Sequence, residues 1–346
     1  MEDSKNIEIM NFGSNITSVN DLLVIDKKSG RDYVSWGAEN NLPNIIYNTY
    51  LTCADLQTLV KTTKLYLCGN GITTDFKHYS DTGETFDEVL TRCLFDFILF
   101  GNFALEGITN MYGDIVRLNY LDVRKVRLDE ELTTAYISNK WGMWSTKNIV
   151  KLPLYKKTEK QSHFVFFYRG NECKGVYGVP SWYSGFKSAQ TLSAIRDFNL
   201  SNILNNFSGS FAVILNGTSI KQREMDEIKQ KMELGYTGPD NAGKMLLINN
   251  QNVDGKVELQ RLQPDNMSNL YEAVGKNSAD DLYASFQINK VLVGQNIATG
   301  FQAVEFENIY KIYKYTIIDP YRNEIKKCIG KLGVNIDFED SHIDFA

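Results

Sequence analysis

The clearest order in this chain is a set of apolar positions recurring at steps of three and four, separated by shorter stretches where apolar and polar residues alternate. Over Thr85–Phe100 the residues Phe86, Val89, Leu90, Leu94 and Phe97 share one helical side, and Asp87 and Glu88 occupy the first turn, where the helix dipole favours acids. Upstream, ENNLPNIIYNTYLTCADLQTLVKTTKLYLCGNG predicts a short helix opened by Pro43 and a second over about Ala54 to Leu67, stopped by Gly69 and Gly71. The thirty-odd residues before it are polar and weakly patterned, and read as a loose arm or an edge strand.

Alternation then predicts strands over Phe103–Ile108 and Ile115–Tyr120, joined by a turn through Tyr112-Gly113-Asp114. Val126–Leu128, Thr134–Ser138, Ile149–Leu154 and His163–Tyr168 read as further short strands. The texture changes at Gly178-Val179-Pro180-Ser181. Trp182, Phe186, Ala189, Leu192, Ile195, Phe198, Ile203 and Phe207 keep helical spacing, giving a helix of about 28 residues and ~40 Å.

A small βαββ module follows, with strands over Phe211–Leu215, Met245–Ile248 and Val257–Leu262 and a helix over Ile220–Leu234. Ser219 and Gln222 are spaced for a capping box on that helix. Pro264-Asp265 starts another helix carrying Met267, Leu270, Tyr271, Val274, Leu282 and Phe286. Phe306, Ile309, Tyr313, Ile317, Tyr321, Ile325, Cys328 and Leu332 then hold one face straight through Pro320, which predicts one long kinked helix. Two long helices thus bracket a small module. The fold class is α+β: a mixed helix and sheet body, paired long helices and an excursion upon them.

Composition narrows the function. In 346 residues, 43% hydrophobic and 23% charged content excludes a disordered or collagen-like chain. A net charge of −5 excludes a generally basic nucleic-acid binder, so any contact with DNA is local. Cys53, Cys68, Cys93, Cys173 and Cys328 lack CxxC spacing and read as reduced thiols of a cytoplasmic protein. The three histidines, His78, His163 and His342, lie far apart. The amino terminus MEDSKNIEIM has no apolar signal core, and the best apolar run, Leu94 to Phe100, contains Asp96, so neither export nor a membrane span is expected.

Candidate chemistry is thin. Gly238-Pro239-Asp240-Asn241-Ala242-Gly243-Lys244 fits G-x-x-x-x-G-K, but Met245 stands where a phosphate loop needs Ser or Thr, and the segment leads from a helix into a strand, the reverse of the required order. A nucleotide-binding protein using this loop is the enzymatic alternative. Asp337, Glu339, Asp340 and Asp344 with His342 alternate with Ile336, Phe338, Ile343 and Phe345, as a half-exposed edge strand does. Asp280 and Asp281 are helix neighbours and diverge. Lys151, Lys156, Lys157 and Lys160 read as a solvated loop. Asn199, Asn202, Asn205 and Asn206 fit either the fraying end of a helix or a hydrated passage or subunit seam. No catalytic residue, metal or cofactor is expected.

Several of these stretches, in this order, resemble the portal proteins of tailed bacteriophages: ENNLPNIIYNTY with CGNGI, FDFILFGNFALEGITNMYGDIVRLNYLDVRKVRL, VYGVPSWYSGFKSAQTLSAIRDFNLSNILNNFSGSFAVILNG, NAGKMLLINN and GFQAVEFENIYKIYKYTIIDPYRNEI. KVLVGQNIATG departs from the Pro-containing turn that many relatives carry there. The resemblance spans about residues 36 to 332. It implies a wing at 1–179, stem helices at 180–207 and 265–288, a clip at 208–264 and a tunnel loop at 289–303. Residues 304–346 would form the long kinked helix, a short strand and at most a minimal crown.

It further implies a homo-oligomeric ring, typically a dodecamer, at one capsid vertex of the virion, assembled in the host cytoplasm. Double-stranded DNA would pass through it during packaging and ejection, and the terminase large subunit, then a head-tail adaptor, would dock on the clip beside the capsid and scaffolding proteins. On this reading Gln295, Asn296, Thr299 and Gln302 face DNA as uncharged groups on a Gly-flanked loop, and Lys221, Arg223, Glu224 and Glu227 serve docking. A capsid-associated adaptor without a tunnel is the remaining alternative.

Overall fold

A computed structural model describes residues 8–9, 24–28, 30–78, 83–141, 148–170, 175–204, 211–216, 227, 245–250, 257–261, 267–295 and 303–340. In chain order its elements begin with strands β1 (Glu8–Ile9), β2 (Asp26–Lys27) and β3 (Ser35–Trp36). Helices α1 (Leu42–Thr52) and α2 (Ala54–Cys68), strand β4 (Gly71–Thr74) and helix α3 (Phe86–Phe100) follow. Strands β5 (Asn102–Thr109), β6 (Ile115–Leu121), β7 (Val126–Leu128), β8 (Thr134–Ile137), β9 (Val150–Pro153) and β10 (His163–Arg169) lead to the long helix α4 (Phe186–Leu204). Strands β11 (Phe211–Asn216), β12 (Met245–Asn250) and β13 (Val257–Arg261) precede helices α5 (Met267–Ser285), α6 (Ala303–Tyr313) and α7 (Asp319–Gly330), and β14 (Ile336–Glu339) ends the described chain.

Contacts divide the molecule into two units, one of Met1–Thr17 with Thr191–Asn277, the other of Ser18–Gln190 with Ser278–Ala346. The divisions at 190/191 and 277/278 fall inside helices, α4 in one case and α5 in the other.

In the larger unit, α3 forms because Thr85 and Glu88 close a capping box at its start and Gly101, with φ 69°, ends it in the left-handed conformation. Its buried side carries Phe86, Val89, Leu90, Leu94 and Phe97, as the spacing predicts, and the helix packs on the antiparallel sheet β10-β5-β6. A second antiparallel sheet, β7-β8-β9, lies alongside, and two-stranded ribbons join β2 to β3 and β14 to β4. The expected edge strand near the carboxyl end is therefore present, with Ile336 and Phe338 inward and Asp337 and Glu339 outward. Trp36, Trp182, Phe100, Phe103, Phe164, Tyr177 and Phe186 fill the core, and Trp36 stacks flat on Tyr177 with ring centroids 4.4 Å apart.

The long helix through Pro320 is continuous, but its irregularity differs from the expected kink. Residues Lys314–Ile318 form a π-helical turn between α6 and α7, one turn before the proline. Pro320 has no N–H to complete the ladder, and the chain absorbs this by widening the preceding turn.

The smaller unit holds one four-stranded sheet, ordered β1-β12-β11-β13. β11 and β12 pair in parallel while β13 and β1 add antiparallel. A parallel pair cannot be joined by a tight hairpin, and residues 217–244 between the two strands lie, Glu227 apart, outside the described residues. Of the helix expected there, only Glu227 lies within the described residues, and it is helical and exposed. Glu8–Ile9 pairs with Ile248 and Asn249 of this sheet, so this piece of the amino-terminal arm joins the small module, although the sequence reading grouped it with the wing. An open edge on β12 accepts any short extended segment, and no sequence signal says which one fills it. Within the same unit Phe198 of α4 packs on Tyr271 of α5, with ring centroids 4.9 Å apart, as their helical spacing suggested.

Candidate functional site

In the larger unit, three backbone segments meet where the sheet hands the chain to α4. Asn102 is fully buried; its Nδ2 donates to the carbonyls of Phe100 (2.7 Å) and Gly178 (2.8 Å), and its Oδ1 accepts from the Gly178 N–H (2.8 Å). The Gly170 N–H donates to the Gly101 carbonyl at 2.9 Å. A Cβ at Gly101 would lie 2.6 Å from the Val179–Pro180 backbone, and one at Gly178 would lie 2.6 Å from the Gly170 nitrogen. The pairs Gly101-Asn102 and Gly178-Val179 are thus required by a crossing too close for side chains, fastened by one amide.

Directly beyond, Trp182 donates its Nε1–H to the Ile98 carbonyl (2.9 Å) and stacks on Phe286, centroids 5.5 Å apart. A Cβ at Gly185 would meet Ser285 Oγ at 2.3 Å, so the two helix ends are in close contact there. The start of α4 and the end of α5 are therefore fixed to one body. The sequence had exposed the Gly-x-Pro start and Trp182, but not Asn102 as the buried fastener.

The chain leaving α5 is held just as closely up to Gln295. Asn289 accepts from the Val291 N–H (2.9 Å), and Lys290 pairs with Asp280. Leu292 is buried, its carbonyl accepts from the Tyr66 hydroxyl (2.9 Å), and Gly294 at φ 78° redirects the chain. Gln295 is exposed at this exit, its N–H donating to the Lys290 carbonyl at 2.9 Å. Asn296, Thr299 and Gln302 lie outside the described residues, as do Lys221, Arg223, Glu224 and the Gly238–Lys244 loop. Met245 opens strand β12 immediately after Lys244, which agrees with the loop-into-strand order read from the sequence.

On the other side, the π turn and α7 close a cavity of about 240 Å³ lined by Phe97, Ile98, Phe286, Ile317, Ser181 and Glu324, among others. Glu324 accepts from the Tyr168 hydroxyl, and the Tyr321 hydroxyl donates to Ser181 Oγ at 2.8 Å. Lys314 of the π turn pairs with Asp340 (3.1 Å), which also pairs with Arg322, and these two cations hold the Asp340 carboxyl below its usual range although burial pushes it up. Arg322 also donates to the carbonyls of Leu67 (3.0 Å) and Tyr66 (3.2 Å), closing the end of α2.

Isolated ionisable groups elsewhere serve the fold. Asp96 is 2% exposed, and burial first, then nearby Asp122, raises its pKa well above the usual carboxylate range, against the Tyr120 hydroxyl that donates to it at 2.9 Å. Arg127 is fully buried among carbonyls of Asn40, Arg124 and Val126 and the rings of Trp36 and Trp141, and burial pushes its pKa down to about 10. Among the described residues, no group of three or more His, Cys, Asp or Glu side chains could hold a metal, and no helix is long and apolar enough to cross a membrane. Asp280 and Asp281 do not face each other as an acid/base pair, since Asp280 is engaged by Lys290.

No family model matches the chain, and no curated protein sequence does. Among solved structures, a chain of the virion of a native gene transfer agent particle superposes with a TM-score of 0.58 at 12% identity, covering 93% of this chain and 89% of that one. A chain of that particle's neck, computed with C12 symmetry, gives 0.54 at 12% identity, covering 87% and 86%. The crystal structure of an HK97-family phage portal protein from Corynebacterium diphtheriae gives 0.48 at 11% identity, covering 82% and 93%. The α+β fold of this chain is the fold of chains from the virion and neck of a gene transfer agent particle.

Proposed function

We propose that this chain is a portal-type protein: a ring-forming structural component of a virion through which double-stranded DNA is packaged and released, with no reaction of its own. The observation that carries the reading is the fold, shared along 93% of the chain with a chain of a virion and along 87% with a chain of a neck computed with C12 symmetry. The ordered set of portal-like segments in the sequence supports it independently. On this reading residues 18–179 belong to the wing, α4 and α5 form the stem, the four-stranded sheet is the clip, and residues 289–303 are the tunnel loop.

The chemistry suits a conduit. A net charge of −5 leaves DNA free to slide, where a strongly basic lumen would hold phosphates. The loop is rooted firmly at Leu292 and Gly294 and leaves the body at an exposed glutamine. Gln295, Asn296, Thr299 and Gln302 would then offer uncharged hydrogen-bonding groups to passing DNA. Terminase, and later a head-tail adaptor, would dock on the clip through Lys221, Arg223, Glu224 and Glu227.

The test is deletion of residues 296–302 in the particle-forming system. Ring assembly should survive and the yield of DNA-filled particles should fall at least tenfold. Unchanged filling would remove the loop from the DNA path.

A further inference from the structure

The larger unit carries an apolar projection and an apolar cavity at opposite ends of one sheet. The projection is the tip of the β5–β6 hairpin, where Met111 is 100% and Tyr112 84% exposed. Exposed apolar side chains on a loose loop mean little, but this tip is built. Asn110 Oδ1 accepts from the N–H groups of Tyr112 and Asp114, both at 2.9 Å, and the Asn110 N–H donates to the Asp114 carbonyl at 2.9 Å. The Gly113 N–H returns to the Asn110 carbonyl at 3.0 Å. The backbone that presents these two large side chains therefore has little conformational freedom left to lose on binding. The aliphatic stem of exposed Lys160, from the neighbouring β9–β10 connection, runs beside Gly113 and adds a cation next to the tip.

The cavity of about 240 Å³ is walled by Phe97, Ile98, Phe286 and Ile317 and carries a carboxylate, Glu324, and a hydroxyl, Ser181, which is exposed at its mouth. A cavity of roughly 150 Å³ already holds a benzene ring, so a phenol ring fits here. The walls suit the ring, Glu324 and Ser181 suit its hydroxyl, and Glu324 complements Lys160.

The geometry forbids self-insertion. Gly101 and Gly170, at the cavity, flank the Asn102–Arg169 end of the sheet, while Thr109 and His163 mark the end bearing the tip. Eight residues of β5 separate them, roughly 25 Å at about 3.4 Å each. A knob at one end and a socket at the other is a head-to-tail arrangement, the kind that closes into rings when the rotation permits.

We infer that Met111 and Tyr112 of one copy seat in the Phe97–Phe286–Ile317–Glu324 cavity of the next copy, forming a repeating contact of the ring. The inference rests on the ring proposed above and names the residues that join its subunits. A buried aromatic in a pocket is the usual centre of such an interface.

The test places the photoreactive residue p-benzoylphenylalanine at position 112, assembles that chain with ¹⁵N-labelled wild-type chain, irradiates, and maps the joined peptides by mass spectrometry. Crosslinks should join position 112 to labelled peptides containing Phe97, Val179–Ser181 or Phe286. Separately, the double variant Met111→Ala, Tyr112→Ala should raise the protein concentration for half-assembly at least tenfold and leave the melting of unassembled chain unchanged, because both side chains are exposed. Rings that form with crosslinks mapping elsewhere, or an unaffected double variant, overturn the contact and leave the ring standing. Wild-type chain that never forms rings overturns both.

Discussion

At the scale of single residues, the structure depends on a few buried polar groups with fixed tasks. Replacing Asn102 by Ala would strand the Gly178 N–H and two carbonyls inside the body, and should cost about 2–4 kcal/mol. Gly178→Ala should be as harmful, since its Cβ would meet backbone that cannot move aside. Urea melts of both variants check this, and a loss under 1 kcal/mol for either would contradict the crossing as described. Arg127→Lys should also destabilise, by about 2–4 kcal/mol, because an ammonium cannot reproduce bonds to three different carbonyls or stack between two indoles.

Asp96 gives a pH dependence. Its folded pKa is raised above the unfolded value, so between the two the folded state binds the proton that the unfolded state has lost, and its contribution to stability falls as pH rises. Asp96→Asn keeps an acceptor for the Tyr120 hydroxyl without a titrating group. The melting temperature of the variant relative to wild type should therefore climb from pH 4 to pH 7. A constant difference would mean that Asp96 ionises normally.

At the scale of elements, the sequence was most legible where periodicity was long. The α3 face, the paired long helices and the unbroken register through Pro320 all come from apolar spacing, and the pattern is plainest on α3, where Phe86, Val89, Leu90, Leu94 and Phe97 are all buried. The π turn was not legible, because a missing N–H can be absorbed by a kink or by a widened turn, and apolar spacing is the same for both. Nor was the partner of the strand Glu8–Ile9, which lies some 240 residues away. The Gly-Asn and Tyr-Gly-x-Pro stretches could be seen as motifs, yet their reason, one buried amide binding two backbones, appears only in three dimensions. The same limit applies to the candidate site. Its polar loop residues were chosen by type, while the anchor that roots the loop, Tyr66 on the Leu292 carbonyl, comes from α2, far away in sequence. Tyr66→Phe removes that bond and should leave the global melt within about 1 kcal/mol. Amide exchange over residues 290–295 should rise at least tenfold; unchanged exchange would show that the loop is rooted elsewhere.

At the scale of the whole molecule, the central proposal is that this chain builds a ring. The long helices, the divided but continuous chain, the mild negative charge and the shared fold all bear on assembly. Native mass spectrometry of the purified full chain, with negative-stain images of the same sample, tests this most directly. The account predicts a closed ring of about twelve copies with a central hole, the copy number suggested by the C12 symmetry of the neck that holds a chain of this fold. A monodisperse monomer or dimer across the accessible concentration range would contradict it.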